Sequence, residues 1–147
     1  MSIFTEAQAK AILDKVIALS KADECTAVLA GSIDGNIRFA LNNVSTSGIV
    51  DNTELAVTVA FGKRVGTASI NEFDDAALER VVRRAEDLAR LAPENPEFLP
   101  AIGKQTYRPS PTFSESTAAI DPAFRAKAAA ASIAPRRGNG LIAAGFL

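Results

Sequence analysis

The spacing of apolar residues changes along the chain, and each change marks an element. Thr5-Glu6-Ala7-Gln8 has the spacing of a capping box, a hydroxyl with Gln three residues on. Ile12, Leu13, Val16 and Ile17 then recur at helical period, with Lys10, Asp14, Lys15 and Lys21 mostly elsewhere. A helix is predicted from about Thr5 to Ala22. From Cys25 to Ile33 the chain carries no charge, and Asp34-Gly35, a strong hairpin signal, closes the run. Ile37, Phe39 and Leu41 alternate with Arg38, Ala40 and Asn42, as in a half-buried strand. Ser45 to Gly48 and Asp51-Asn52 read as loop. Leu55, Val57, Val59 and Phe61 alternate cleanly with smaller residues, and Gly62-Lys63 turns that strand into a return from Val65 to Ile70. Tight hairpins join antiparallel neighbours, so four strands form a meander.

A second helix follows, with Asp74 or Asp75 as N-cap. Leu78, Val81, Val82, Ala85, Leu88, Ala89 and Ala92 give it one broad apolar face. Arg80, Arg83, Arg84, Glu86, Asp87 and Arg90 make a solvated one. Glu79–Arg83 and Glu86–Arg90 are acid-before-base pairs at i,i+4, each contributing a few tenths of a kcal/mol. Pro93 ends the helix, and the prolines at 96, 100, 109 and 111 forbid a regular element as far as Phe113. Phe98, Leu99, Ile102 and Tyr107 are apolar anchors for this connector. Asp121-Pro122 is an N-cap with Pro at the first helical position, opening an alanine-rich helix to about Ala134. Pro135 to Gly140 breaks it. Leu141 to Leu147 reads as a buried strand cut off early, which suggests a fragment of a longer protein.

The fold class expected is therefore α+β: an antiparallel four-stranded meander packed with two main helices, then a proline-rich connector, helix and strand. Residues 1–93 would form the N-terminal domain. Residues 94–147 would hold the connector, the short helix and the start of a following region.

Composition narrows the function. The 147 residues are 48% hydrophobic and 22% charged, the balance of a soluble globular domain. Sixteen basic against seventeen acidic residues give a net charge of −1, which argues against direct nucleic-acid binding. The N-terminus lacks the pattern of a signal peptide and no window spans a membrane, so a cytoplasmic location is expected. There is no histidine, so no His-based metal site and no Ser-His or Cys-His nucleophile can form. Cys25 is the single cysteine and reads as a small apolar filler on a strand. Gly62 to Gly66 lacks phosphate-loop spacing, and Asp74-Asp75 is explained by helix capping. No catalytic constellation and no metal-ligand set is visible.

Several segments resemble the N-terminal domain of the TldD/PmbA family, also known as modulators of DNA gyrase. They are Ala22-Asp23-Glu24, the Arg-aromatic-Ala-x-Asn segment within Ile37 to Val44, and the hairpin from Leu55 to Asn71 with its Val-Gly-x-Ala-Ser-x-Asn ending. Leu78-Glu79, the stretch from Ala85 to Pro93, and Leu141 to Leu147 extend the match. The resemblance implies cytoplasmic proteins working as paired subunits, homo- or heterodimers, with a zinc metallopeptidase as the catalytic member. That member's His-Glu-x-x-x-His helix and downstream Cys ligand match nothing here, so zinc is implied only for the full-length catalytic subunit and no catalytic residue is carried over.

The leading expectation is a non-catalytic N-terminal domain of such a peptidase subunit, inactive alone, that aids subunit pairing and substrate enclosure. Peptide substrate would then meet a catalytic domain outside these residues. Phe39, Asn42 and Asn43 are the candidate substrate or partner contacts. The plainer reading makes Phe39 core and the Asn pair a turn. The alternative function is a stand-alone protein-binding module that regulates a partner such as gyrase.

Overall fold

The first helix, α1 (Glu6–Leu19), starts where its capping box requires. Thr5 Oγ1 accepts the Gln8 N–H at 3.3 Å and Gln8 Oε1 accepts the Thr5 N–H at 3.0 Å. It stops before Ala22 because Ser20 is extended and its hydroxyl accepts the Ala22 N–H, turning the chain toward the sheet. The computed structural model describes residues 4–136 and 139–147. Met1-Ser2-Ile3 and Arg137-Gly138, on which part of the leader and helix-break readings fell, lie outside the described residues.

The strands are β1 (Glu24–Ala40), β2 (Asn43–Phe61), β3 (Arg64–Ile70) and β4 (Gly145–Phe146), hydrogen-bonded in the order β3-β2-β1-β4. The α+β class and a four-stranded antiparallel sheet are as expected, but the chain is cut into strands differently. Asp34-Gly35 does not turn. A type I′ turn needs positive φ at both central residues, and it is Leu41 (φ 49°) and Asn42 (φ 67°) that adopt it. Gly35 serves a close approach instead. A Cβ there would lie 2.3 Å from Nη1 of Arg125. Ser45 to Gly48 and Asp51-Asn52, expected as loop, continue β2. Ser45 and Ser47 fit the strand because their hydroxyls donate to the Arg38 and Asn36 carbonyls at 3.2 and 3.3 Å.

The chain forms two units, each discontinuous in sequence: Met1–Ser32 with Asn52–Thr106, and Ile33–Asp51 with Tyr107–Leu147. In the first, β2 and β3 pair from Leu55↔Ile70 to Phe61↔Arg64, as read from the sequence. Helix α2 (Asp75–Leu91), capped by Asp74 accepting the Ala77 N–H at 3.0 Å, lies on β3. Its backbone sits so close that a Cβ on Gly66 would be 2.3 Å from both Ala85 O and Ala89 N. Val16, Leu55, Val57, Val59, Leu78, Val81, Val82 and Ala85 fill the core between.

Two residues assigned to α2's faces are placed otherwise. Glu86, expected in solvent, is 1% exposed because the end of α1 covers it, and Leu88, expected in the core, is 43% exposed. After Leu91 the chain has no regular element until Glu115. It is tied back by Asn95 N–H to Lys63 O (2.9 Å) and Ala101 N–H to Glu24 Oε2 (3.1 Å). Of the expected anchors only Phe98 is half-buried; Leu99, Ile102 and Tyr107 are exposed.

In the second unit, α3 (Glu115–Ala118) precedes α4 (Pro122–Ile133), which is capped by Asp121 accepting the Phe124 N–H at 2.7 Å. Ile37, Phe39 and Ala129 form its small core, with Ile133 and Ala143 against it. The run from Leu141 to Leu147 is not the buried strand expected. Gly145 and Phe146 pair with β1 at Phe39 and Arg38, Leu147 exchanges both backbone hydrogen bonds with Ile37 at 2.9 Å, and Leu141, Ile142 and Phe146 stay largely exposed.

Candidate functional site

Phe39, Asn42 and Asn43 are brought together at the tip of the β1–β2 hairpin, and the fold uses each differently. The Phe39 ring is 8% exposed and lies over Gly145, where a Cβ would meet Cζ at 2.7 Å. With Arg38, Ser45, Thr46 and Phe146 it borders a recess of about 230 Å³. Asn42 is left-handed, a conformation asparagine tolerates better than most residues. Its Oδ1 accepts the Ala143 N–H at 2.6 Å, its N–H donates to Ala143 O at 3.2 Å, and its Nδ2 donates to Leu141 O at 3.3 Å. Asn42 therefore clips the C-terminal segment to the tip. Asn43 is exposed and donates from Nδ2 to Leu41 O at 3.2 Å, steadying the turn. Leu41 beside it is also exposed.

Sequence patterns missed Arg125 in the same unit. It is 8% exposed, its Nη1 donates to Ile120 O at 3.3 Å, and its Nε and Nη2 have no partner among the described residues. A glycine on one strand paired with a long cation on a distant helix leaves no local signature.

Glu86 is the electrostatic centre of the first unit. It accepts the Lys21 N–H at 2.6 Å, an Arg83 Nη1 bond at 2.7 Å and an Arg90 Nη2 bond at 3.4 Å. Arg83 also donates to Leu19 O at 2.7 Å. Burial alone would raise the Glu86 carboxyl, but the Lys21 amide and the two guanidiniums outweigh it and hold it below the usual carboxylate range. This network ties the end of α1 to α2, a structural task. Cys25 is half-buried on β1, as expected of a filler. Burial pushes its thiol up, partly offset by a Ser20 hydrogen bond, with Glu86 adding to the rise. A thiol so placed is a poor nucleophile.

Among the described residues no three His, Cys, Asp or Glu side chains come together to hold a metal. No helix among them is long and apolar enough to cross a membrane. What the arrangement offers is hydrogen-bonding and apolar contact surface. It defines an α+β domain in which a helix lies on an outer strand of an antiparallel sheet and a long hairpin carries its own small core.

Residues 26–89 match PmbA/TldA metallopeptidase domain 1. Over those residues the chain resembles the N-terminal domain of the TldD/PmbA family. Solved structures share the fold. TldE from Thermococcus kodakarensis superposes with a TM-score of 0.78 at 15% identity, over 94% of this chain and 31% of that one. A candidate modulator of a DNA gyrase from Thermotoga maritima gives 0.66 at 15% identity, over 84% and 28%. A candidate modulator of DNA gyrase from Bacteroides thetaiotaomicron gives 0.67 at 14% identity, over 85% and 30%. The chain thus spans about a third of the length of the solved structures it matches. No curated protein matches it.

Proposed function

We propose that this chain is the non-catalytic N-terminal domain of a TldD/PmbA-like zinc metallopeptidase subunit, a cytoplasmic protein that acts in pairs. The domain helps the subunits pair and helps enclose a peptide substrate. The observation that carries this reading is the match to PmbA/TldA metallopeptidase domain 1 over residues 26–89. The absence of histidine supports the non-catalytic part, because a zinc helix of the His-Glu-x-x-x-His kind cannot be built from this sequence.

Phe39, Asn42 and Asn43 contribute through the hairpin tip. Asn43 and the neighbouring Leu41 make the contact, Asn42 holds the tip to residues 141–143, and Phe39 backs the recess beside it. The first test is the gene beyond the codon for Leu147. A continuing frame encoding the rest of a family subunit is expected, and His-Glu-x-x-x-His within it would assign the catalytic rather than the zinc-free member. An immediate stop codon would sink the proposal and favour a stand-alone binding module. In a full-length subunit, Asn42→Ala with Asn43→Ala should weaken pairing or peptide hydrolysis. Unchanged values for both would remove the tip from the function.

A further inference from the structure

β3 is the last strand on its side of the sheet, so one row of its backbone groups points away from β2. The two-residue turn at Gly62-Lys63 makes Phe61↔Arg64 a hydrogen-bonded pair, and alternation along the ladder then directs the N–H and C=O groups of Val65, Thr67 and Ser69 outward. The Thr58 and Thr67 hydroxyls, 2.9 Å apart, agree, since side chains approach most closely in the non-hydrogen-bonded pairs. Among the described residues those outward groups have no hydrogen-bond partner. Natural sheet edges are commonly blunted by charge, proline or a bulge. From Val65 to Ile70 this edge carries neither charge nor proline.

Beside it lies a groove of about 800 Å³ that runs from Ser69 and Ile70 along one side of α2. Leu88 and Leu91 form its apolar wall, and Leu91 is 84% exposed. Three arginines line it. Arg80 is neutralised by Glu72 at 2.6 Å and Arg83 by Glu86 at 2.7 Å. Arg84 is exposed and has no acidic partner among the described residues.

We propose that this edge receives an extended segment of a partner protein as an added strand. A carboxylate on the segment meets Arg84, and its apolar residues lie against Leu88 and Leu91. The free backbone row selects an extended conformation, as in other cases of strand addition, and the unneutralised guanidinium selects an acid. A second copy is the poorer occupant. Its own edge from Val65 to Ile70 carries no carboxylate to meet Arg84, and it would bring a second unneutralised guanidinium instead. The inference does not depend on the peptidase reading.

The probe is a fluorescein-labelled octapeptide of alternating threonine and valine with one central aspartate, alongside a twin with central lysine. Anisotropy titrations on the 147-residue chain should show the aspartate peptide binding about fivefold more tightly than the twin. Arg84→Glu, at an exposed position, should invert that order. Ser69→Pro removes one outward N–H and no bond to β2, and should weaken both peptides at least about tenfold while the circular dichroism melt is kept. Equal affinity for both peptides, unchanged in Arg84→Glu, would overturn the proposal. So would binding that survives Ser69→Pro with the fold intact. Dimerisation of the chain in sedimentation equilibrium, lost in Ser69→Pro, would overturn it in favour of a second copy.

Discussion

Replacing Glu86 by Gln should reveal how strongly one buried carboxylate holds α1 to α2. The side chain is 1% exposed and accepts bonds from Lys21 N–H, Arg83 and Arg90 at 2.6, 2.7 and 3.4 Å. Glutamine keeps an acceptor for the Lys21 amide but no longer neutralises the two guanidiniums. Hydrogen bonds to charged groups contribute about 1.5–3 kcal/mol each, and the arginines are partly solvated and recover some of that. A net loss of about 2 kcal/mol is expected, lowering Tm by about 4–8 °C for a chain of this size. The pH dependence is the sharper signature. The folded carboxyl titrates below its unfolded value of about 4.3, so its contribution is complete above that pH. It is lost as the pH falls through the folded value. Urea melts from pH 7 down to about pH 3 should show the wild type losing stability through this acid window. Glu86→Gln should start lower and fall less. Parallel curves, or a difference below about 0.5 kcal/mol at pH 7, would refute the reasoning.

Gly66→Ala should be among the most damaging small changes, since its Cβ would meet α2 backbone atoms at 2.3 Å. Pushing the helix off β3 should cost about 3 kcal/mol in a denaturant melt, and a wild-type midpoint would show that the helix yields freely. Arg125→Met should leave stability unchanged or raise it by about 1–3 kcal/mol, because it removes a buried cation with two N–H groups unpartnered among the described residues. A clear loss would mean the guanidinium is compensated. Gly35→Ala should destabilise the wild type, with Arg125 Nη1 at 2.3 Å from the new Cβ, and much less in the Arg125→Met background. Additive effects would contradict that contact.

What the chain determined by itself were features set within a few residues or by one period. The caps at Thr5, Asp74 and Asp121 are local hydrogen bonds and need no tertiary partner. The register from Leu55 to Ile70 follows from strict alternation around a two-residue turn. The family resemblance was legible for the same reason, because it lay in contiguous segments such as Leu55 to Asn71. Tertiary structure decided the positions where local preference and distant packing disagree. Asp34-Gly35 looks like a turn locally, yet Arg125, far along the chain, occupies the space a side chain would need. The turn moves to Leu41-Asn42, where Asn42 gains three hydrogen bonds to residues 141 and 143. Glu86 reads as a solvated charge until the end of α1 covers it. Leu88 reads as core until the helix, seated on Gly66, turns it toward the groove. Periodicity gives a helix its apolar face, but only packing against other elements decides which edge of that face meets solvent.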